Sequence, residues 1–211
     1  MTEGDYAGPT EKWWSEYRPI LPTQYEEFIA LEAAAVHLHQ VHPTIVPGLL
    51  QTEAYARAIV AEVALGPLAD QQRDALVALR LRRQHEILSG TVPPDLDVVV
   101  DEAALRRLVG GAAIMTAQLE RLIDVSAQPR IGLAVMPFTA GGHVAMQGGF
   151  HLMDFADRAS VVFLETARGH VRHTDAEEVE QYRERLGSIR ARALTGDAAV
   201  AFLRQIAADL T

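Results

Sequence analysis

Apolar residues return every three to four positions in three stretches before Gly90, the spacing of helices with one buried face. The first predicted helix runs from about Pro22 to Gln40, between a Pro22-Thr23 start and a His42-Pro43 stop. Its inner face reads Tyr25, Phe28, Glu32, Ala35 and His39. The second starts near Pro47 or Thr52 and ends near Val63, before the Gly66-Pro67 break, with Tyr55, Ile59 and Val63 on one stripe. The third covers roughly 69–89 and carries Leu76, Arg80, Arg83 and Ile87 on one stripe.

After Gly90 the rhythm changes. DLDVVV is a short β-branched run ending at Asp101 and reads as a buried strand. Asp101 can cap the short helix EAALRRLV, and a further helix follows over about 113–127. RIGLAVMPF, FHLMDF, SVVFLET and GHVRHT read as strands separated by short spacers, which favours antiparallel pairing. Two amphipathic helices, about 176–194 and 198–210, close the chain. The predicted fold class is therefore α+β: an antiparallel sheet of about five strands covered by N-terminal and C-terminal helices. Residues 1–11 are expected to be frayed and 12–211 to form a single domain.

Composition narrows the function classes. The 211 residues carry 19 Lys+Arg against 28 Asp+Glu, a net charge of −9, which argues against a general grip on nucleic acid. Cysteine is absent, so disulfides, thiol nucleophiles and thiolate metal sites are excluded. No signal pattern or bilayer-length apolar run occurs, so a cytoplasmic protein without membrane contact is expected.

Candidate chemistry starts from Glu32, a carboxylate on an apolar helix face that must be paired, hydrogen-bonded or protonated. It is either a general acid or base, or the partner of a structural ion pair with Arg80 or Arg83, whose guanidinium forks suit buried carboxylates. His37, His39 and His42 invite a metal reading, but on a helix positions two apart diverge, so no metal site and no cofactor are expected. TAGGHVAMQGGF (139–150) places His143 and Gln147 in a glycine-rich loop between strands, the build of a binding loop or of a long hairpin connection. Phosphate-cradle motifs are missing from it. Glu165 shares strand parity with Val161 and Phe163, and Glu102 opens a helix, where negative charge is favoured for structural reasons. In VPGLLQTEAYARAI (46–59), Pro47 fits a first turn, Gly48 allows close approach of another element, and Tyr55 can face inward with Gln51 a turn away. The stretch is either a structural latch or one wall of a polar-lined pocket.

WWSEY, EEFIALEAAA, VPGLLQTEAYARAIV, RLRRQHEIL, VVVDEAALRRLVGG, MTAQLERL, VMPFTAGGHVAMQGGFHLMDF and VVFLET occur in this order. Together they resemble the uncharacterised C-terminal domain of actinobacterial Xre-family, antitoxin-like transcriptional regulators, over about residues 12–210. In that family the domain follows a DNA-binding helix-turn-helix and is thought to receive a signal or a small acidic partner protein. Only about 11 residues precede Trp13 here, so direct DNA binding is not expected. The expectation is a free-standing regulatory domain, related to Xre-family regulators, that binds a small-molecule ligand or a small acidic partner protein. Gln51, Tyr55, Arg80, Arg83, Glu102 and Glu165 are the candidate ligand-binding residues. The alternative is a cofactor-free cyclase, isomerase or lyase of specialised metabolism reusing the pocket, with Glu32 and His143 as catalytic groups. Apolar positions on the last helix suit either a homodimer or core packing. Both functional readings expect at least two of Glu32, Tyr55, Arg83, Glu102 and Glu165 to line one cavity.

Overall fold

A computed structural model describes residues 13–21, 23–64, 66–166 and 169–210; the expected frayed segment 1–11 lies outside them. After a 3-10 turn at Trp13–Ile20 come helix α1 (Thr23–Ala34) and strand β1 (His37–His42). Helices α2 (Glu53–Val63) and α3 (Asp70–Leu88) lead to β2 (Asp95–Asp101), and α4 (Glu102–Arg106) and α5 (Ala112–Ser126) lead to β3 (Ile131–Met136). Then follow β4 (Phe150–Asp154), β5 (Val161–Thr166), β6 (Gly169–His173), α6 (Ala176–Arg190), β7 (Leu194–Thr195) and α7 (Gly196–Asp209).

The strands form one seven-stranded sheet in the order β6-β5-β4-β1-β2-β3-β7. The expectation of a wholly antiparallel, five-stranded sheet is corrected by this topology. β1-β2 and β2-β3 are parallel; the remaining pairs are antiparallel. The cause is β1. The residues assigned to the end of the first helix leave it after Ala34 and enter the middle of the sheet, between β2 and β4. A central β1 makes α2-α3 and α4-α5 helical crossovers, and parallel neighbours need such connections.

Pleating sends alternate residues to opposite faces. Leu38, Leu96, Val98, Leu133, Met153 and Phe163 join α1, α2, α3, α5 and α7 in the larger core. Val41, Val99, Ala134, Phe150, Leu152 and Val162 pack with Val179, Leu186 and Ile189 of α6. By the same parity Gln40, His42 and His151 face the larger helical layer, while His37, His39, Asp97 and Asp154 face the α6 side.

Candidate functional site

The 46–59 stretch is a latch built on glutamines. Gly48–Leu50 forms a 3-10 turn, and Thr52 caps α2 by accepting from the Tyr55 N–H at 3.2 Å. Gln51 Nε2 donates to the Val46 carbonyl at 2.7 Å. Gln84 Nε2 donates to the Gly48 and Gln51 carbonyls at 2.7 and 3.0 Å. Gln118 donates to the Leu50 carbonyl at 2.9 Å and accepts from Thr52 N at 2.8 Å. The Tyr55 hydroxyl accepts from Val46 N at 3.2 Å. A buried loop has no water for its backbone groups, so side-chain amides supply the partners. Gln84 and Gln118 were not singled out from sequence; the available signal was Gln118 lying beside Leu119 on a helix whose other buried residues are apolar.

Beneath this loop lies a buried charged network. Glu32 has no exposed surface and Arg83 is 5% exposed. Arg83 Nε donates to Glu32 Oε2 at 2.5 Å and Nη2 to Oε1 at 2.8 Å, a bidentate pair. Its Nη1 donates to the Tyr25 hydroxyl at 3.1 Å, and the guanidinium lies 5.2 Å from the Phe28 ring centroid. Burial opposes the Arg83 charge, but Glu32 and Tyr25 outweigh it and raise the pKa above its ordinary value. A Cβ on Gly48 would come within 3.3 Å of Arg83 Nη1, so glycine lets the loop rest on the guanidinium.

From the sheet, Gln40 Nε2 donates to Glu32 Oε1 at 3.5 Å, and His42 Nε2 lies 3.4 Å from Gln40 Oε1. Burial lowers the His42 pKa to about 3, against the pull of Glu165 and with help from His151 and Arg83, so this ring is neutral at pH 7. His151 Nε2 lies 3.0 Å from Glu165 Oε1, while its buried Nδ1 has no hydrogen-bond partner among the described residues. The Glu165 side chain is 43% exposed and stands at the rim.

Arg80, one turn before Arg83, differs from it. Its Nη1 donates to Gln51 Oε1 at 2.6 Å, and among the described residues no carboxylate pairs with it. Burial lowers its pKa from the ordinary arginine value, Arg83 reinforcing the shift and Tyr25, Glu165 and Tyr55 opposing it.

The structure thus places Glu32, Gln51, Arg80, Arg83, Tyr55 and Glu165 in or beside one network, and adds Tyr25, Gln40, His42 and His151. It does not bring Glu102 or His143 there. Glu102 accepts from Phe138 N at 2.7 Å and Arg106 Nε at 2.6 Å, tying α4 to the loop after β3. His143 Nε2 lies 2.9 Å from Asp101 Oδ2, on the other face of the sheet from Glu32. The 139–150 loop is itself anchored, since Arg192 donates to the Gly142 and Ala140 carbonyls. A cleft of about 440 Å³ opens elsewhere, at the β3 edge, lined by residues including Ile123, Ser126, Arg190, Asp197 and Arg204. None of the predicted site residues lines it; Glu32 and Arg83 meet in direct contact.

Fold and site define an α+β domain with a mixed sheet and a buried ionic network under a glutamine-pinned loop. The chain belongs to the family described as a domain of unknown function, DUF5753, whose model matches residues 25–205. No curated protein and no solved structure matches it.

Proposed function

We propose that the chain is a ligand- or partner-binding regulatory domain of the kind found in Xre-family regulators, and that its small-molecule ligand or small acidic partner protein presents an anion to Arg80. One observation carries this reading: among the described residues, Arg80 is a partly buried guanidinium that donates to an amide oxygen and makes no ion pair with a carboxylate, Glu165 acting on it only at longer range. A guanidinium removed from water gains most from a planar carboxylate or a phosphate. Arg83, already saturated by Glu32, holds its neighbour's surroundings rigid. The unpaired His151 Nδ1 offers a second polar point in the same network.

Binding is favoured over a cofactor-free enzyme because the groups proposed for proton transfer are engaged. Both Glu32 oxygens are held by Arg83, and His143 belongs to a separate cluster. The test is calorimetric titration of the purified chain with a panel of carboxylates, phosphate esters and acidic peptides. A binder found this way should lose roughly tenfold or more affinity in Arg80→Gln, the value of a charged hydrogen bond. Equal affinity of wild type and Arg80→Gln for every binder, or binding of neutral compounds alone, rejects the assignment.

A further inference from the structure

On the opposite face of the sheet, under α6, His37 and His39 of β1 stand beside Asp97 of β2. We propose that His37, His39 and Asp97 form a site for a divalent transition-metal cation of the zinc type, oriented by Asp154 and guarded by Arg190.

The register creates the cluster. Two residues apart on a strand share a face, so the His37 and His39 rings lie side by side, tilted 34° with centroids 3.9 Å apart. His39 pairs across the sheet with Asp97, and His37 with Asp154. His37 Nε2 lies 3.0 Å and His39 Nδ1 3.4 Å from the same oxygen, Asp97 Oδ2. One donor atom from each of the three residues lies within 4.8 Å of the others. Ligands held ~2.1 Å from one tetrahedral or octahedral ion are themselves about 3.0–3.4 Å apart. Both histidine nitrogens are therefore near that spacing from Asp97.

His39 supplies an independent sign. Its side chain is 9% exposed, and it faces carboxylates with both nitrogens: Nε2 is 3.2 Å from Asp154 Oδ2, while Nδ1, 3.4 Å from Asp97 Oδ2, has no hydrogen-bond partner among the described residues. A neutral imidazole has one N–H. With its N–H on Nε2, donated to Asp154, the ring presents Nδ1 to a cation held by Asp97. Asp154 also has the partners expected of a carboxylate that orients a ligating histidine. Arg183 holds it at 2.7 Å and Ser160 at 2.5 Å.

Space and access fit as well. Gly132 lies against Asp97, where a Cβ would collide with Oδ1. His37 is 34% and Asp97 19% exposed at the side chain, so an ion has a route in. Arg190, at the C-terminal end of α6, reaches the same Asp97 oxygen and is 41% exposed. It supplies the positive charge there, and a metal ion would displace it. Two imidazoles and one carboxylate with open positions suit zinc, iron(II), cobalt or nickel; magnesium and calcium prefer all-oxygen sets.

The experiment is titration of the chelator-dialysed, tag-free chain with Zn²⁺ against a chromogenic chelator, and with Co²⁺ by visible absorbance. Expected is one equivalent, weakened roughly 10–100-fold by Asp154→Asn, and weakened further by His39→Ala and Asp97→Asn. Arg190→Ala, an exposed change that leaves the ligands in place, should tighten binding by removing the competing charge. Circular dichroism identifies any variant that fails to fold, and Arg190→Ala keeps the proposal exposed if the ligand variants do. It is overturned by absence of stoichiometric binding, by affinity unchanged in both folded His39→Ala and Asp97→Asn, or by weaker binding in Arg190→Ala.

Discussion

Removing Glu32 and Arg83 together should cost far less than the sum of the two single removals. In Glu32→Leu the Arg83 guanidinium, 5% exposed, keeps only the Tyr25 hydroxyl and the Phe28 face. Two unit charges about 4 Å apart attract by about 4 kcal/mol at an effective dielectric constant near 20. Orphaning one member of a buried pair typically costs about 3–5 kcal/mol. Arg83→Met reverses the roles and leaves the Glu32 carboxylate, fully buried, with the Gln40 amide at 3.5 Å. The double variant Glu32→Leu/Arg83→Met contains no orphaned charge and loses the bonds to Tyr25 and Gln40, about 1–2 kcal/mol each. Two single losses of about 4 kcal/mol each, set against about 3 kcal/mol for the double, give a coupling energy of roughly 5 kcal/mol. Urea unfolding followed by circular dichroism at pH 7 measures all four corners. Single losses that simply add, with coupling under about 0.5 kcal/mol, would refute the view that this pair is a mutually dependent, desolvated unit.

His42 makes stability depend on pH. Its folded pKa is depressed to about 3, so between that value and the ordinary 6.5 the unfolded chain binds more protons, and stability present above pH 6.5 is lost as pH falls. By pH 5 the loss is about 2 kcal/mol, read as the difference in urea midpoints between pH 7.5 and 5.0; His42→Gln should flatten that dependence, and an unchanged slope contradicts the reasoning. Tyr55→Phe leaves the Val46 N–H without its 3.2 Å acceptor and should cost about 1–3 kcal/mol, with faster amide exchange at Val46; unchanged exchange there would show that the hydroxyl does not hold the loop. Gly110 has φ +69°, and a Cβ would meet Ile114 Cδ1 at 2.6 Å and Ala58 Cβ at 2.9 Å. Gly110→Ala should thus destabilise by about 2–4 kcal/mol, and an unshifted melting temperature would contradict the packing of α2 against this turn.

What could be read from sequence was whatever obeyed one period. α3, β2, α5 and the closing helices lie close to their predicted spans, because each helix buries one face and β2 is a continuous β-branched run buried on both. Charge on an apolar stripe was equally readable: Glu32 had to find a cation, and Arg83 was one of two candidates. HLHQVH offered no such rule. β1 is central, and five of its six residues are buried, three of them polar: His39, Gln40 and His42. It shows neither alternation nor a helical stripe, since His39, Gln40 and His42 are buried through side-chain partners rather than through hydrocarbon. The partners that make His37–His42 a strand lie far away in the chain, as in the contacts of His37 with Asp97 and His39 with Asp154, separated by 60 and 115 residues. One misassigned segment then carried two errors. It hid the parallel pairs, which exist only because β1 enters the sheet before the helical crossovers. It also inverted the meaning of a two-residue spacing: on a helix that step drives His37 and His39 apart, whereas on a strand it sets them side by side over Asp97. The same residues rejected as a chelating pair on helical geometry are for that reason the ones the sheet brings together.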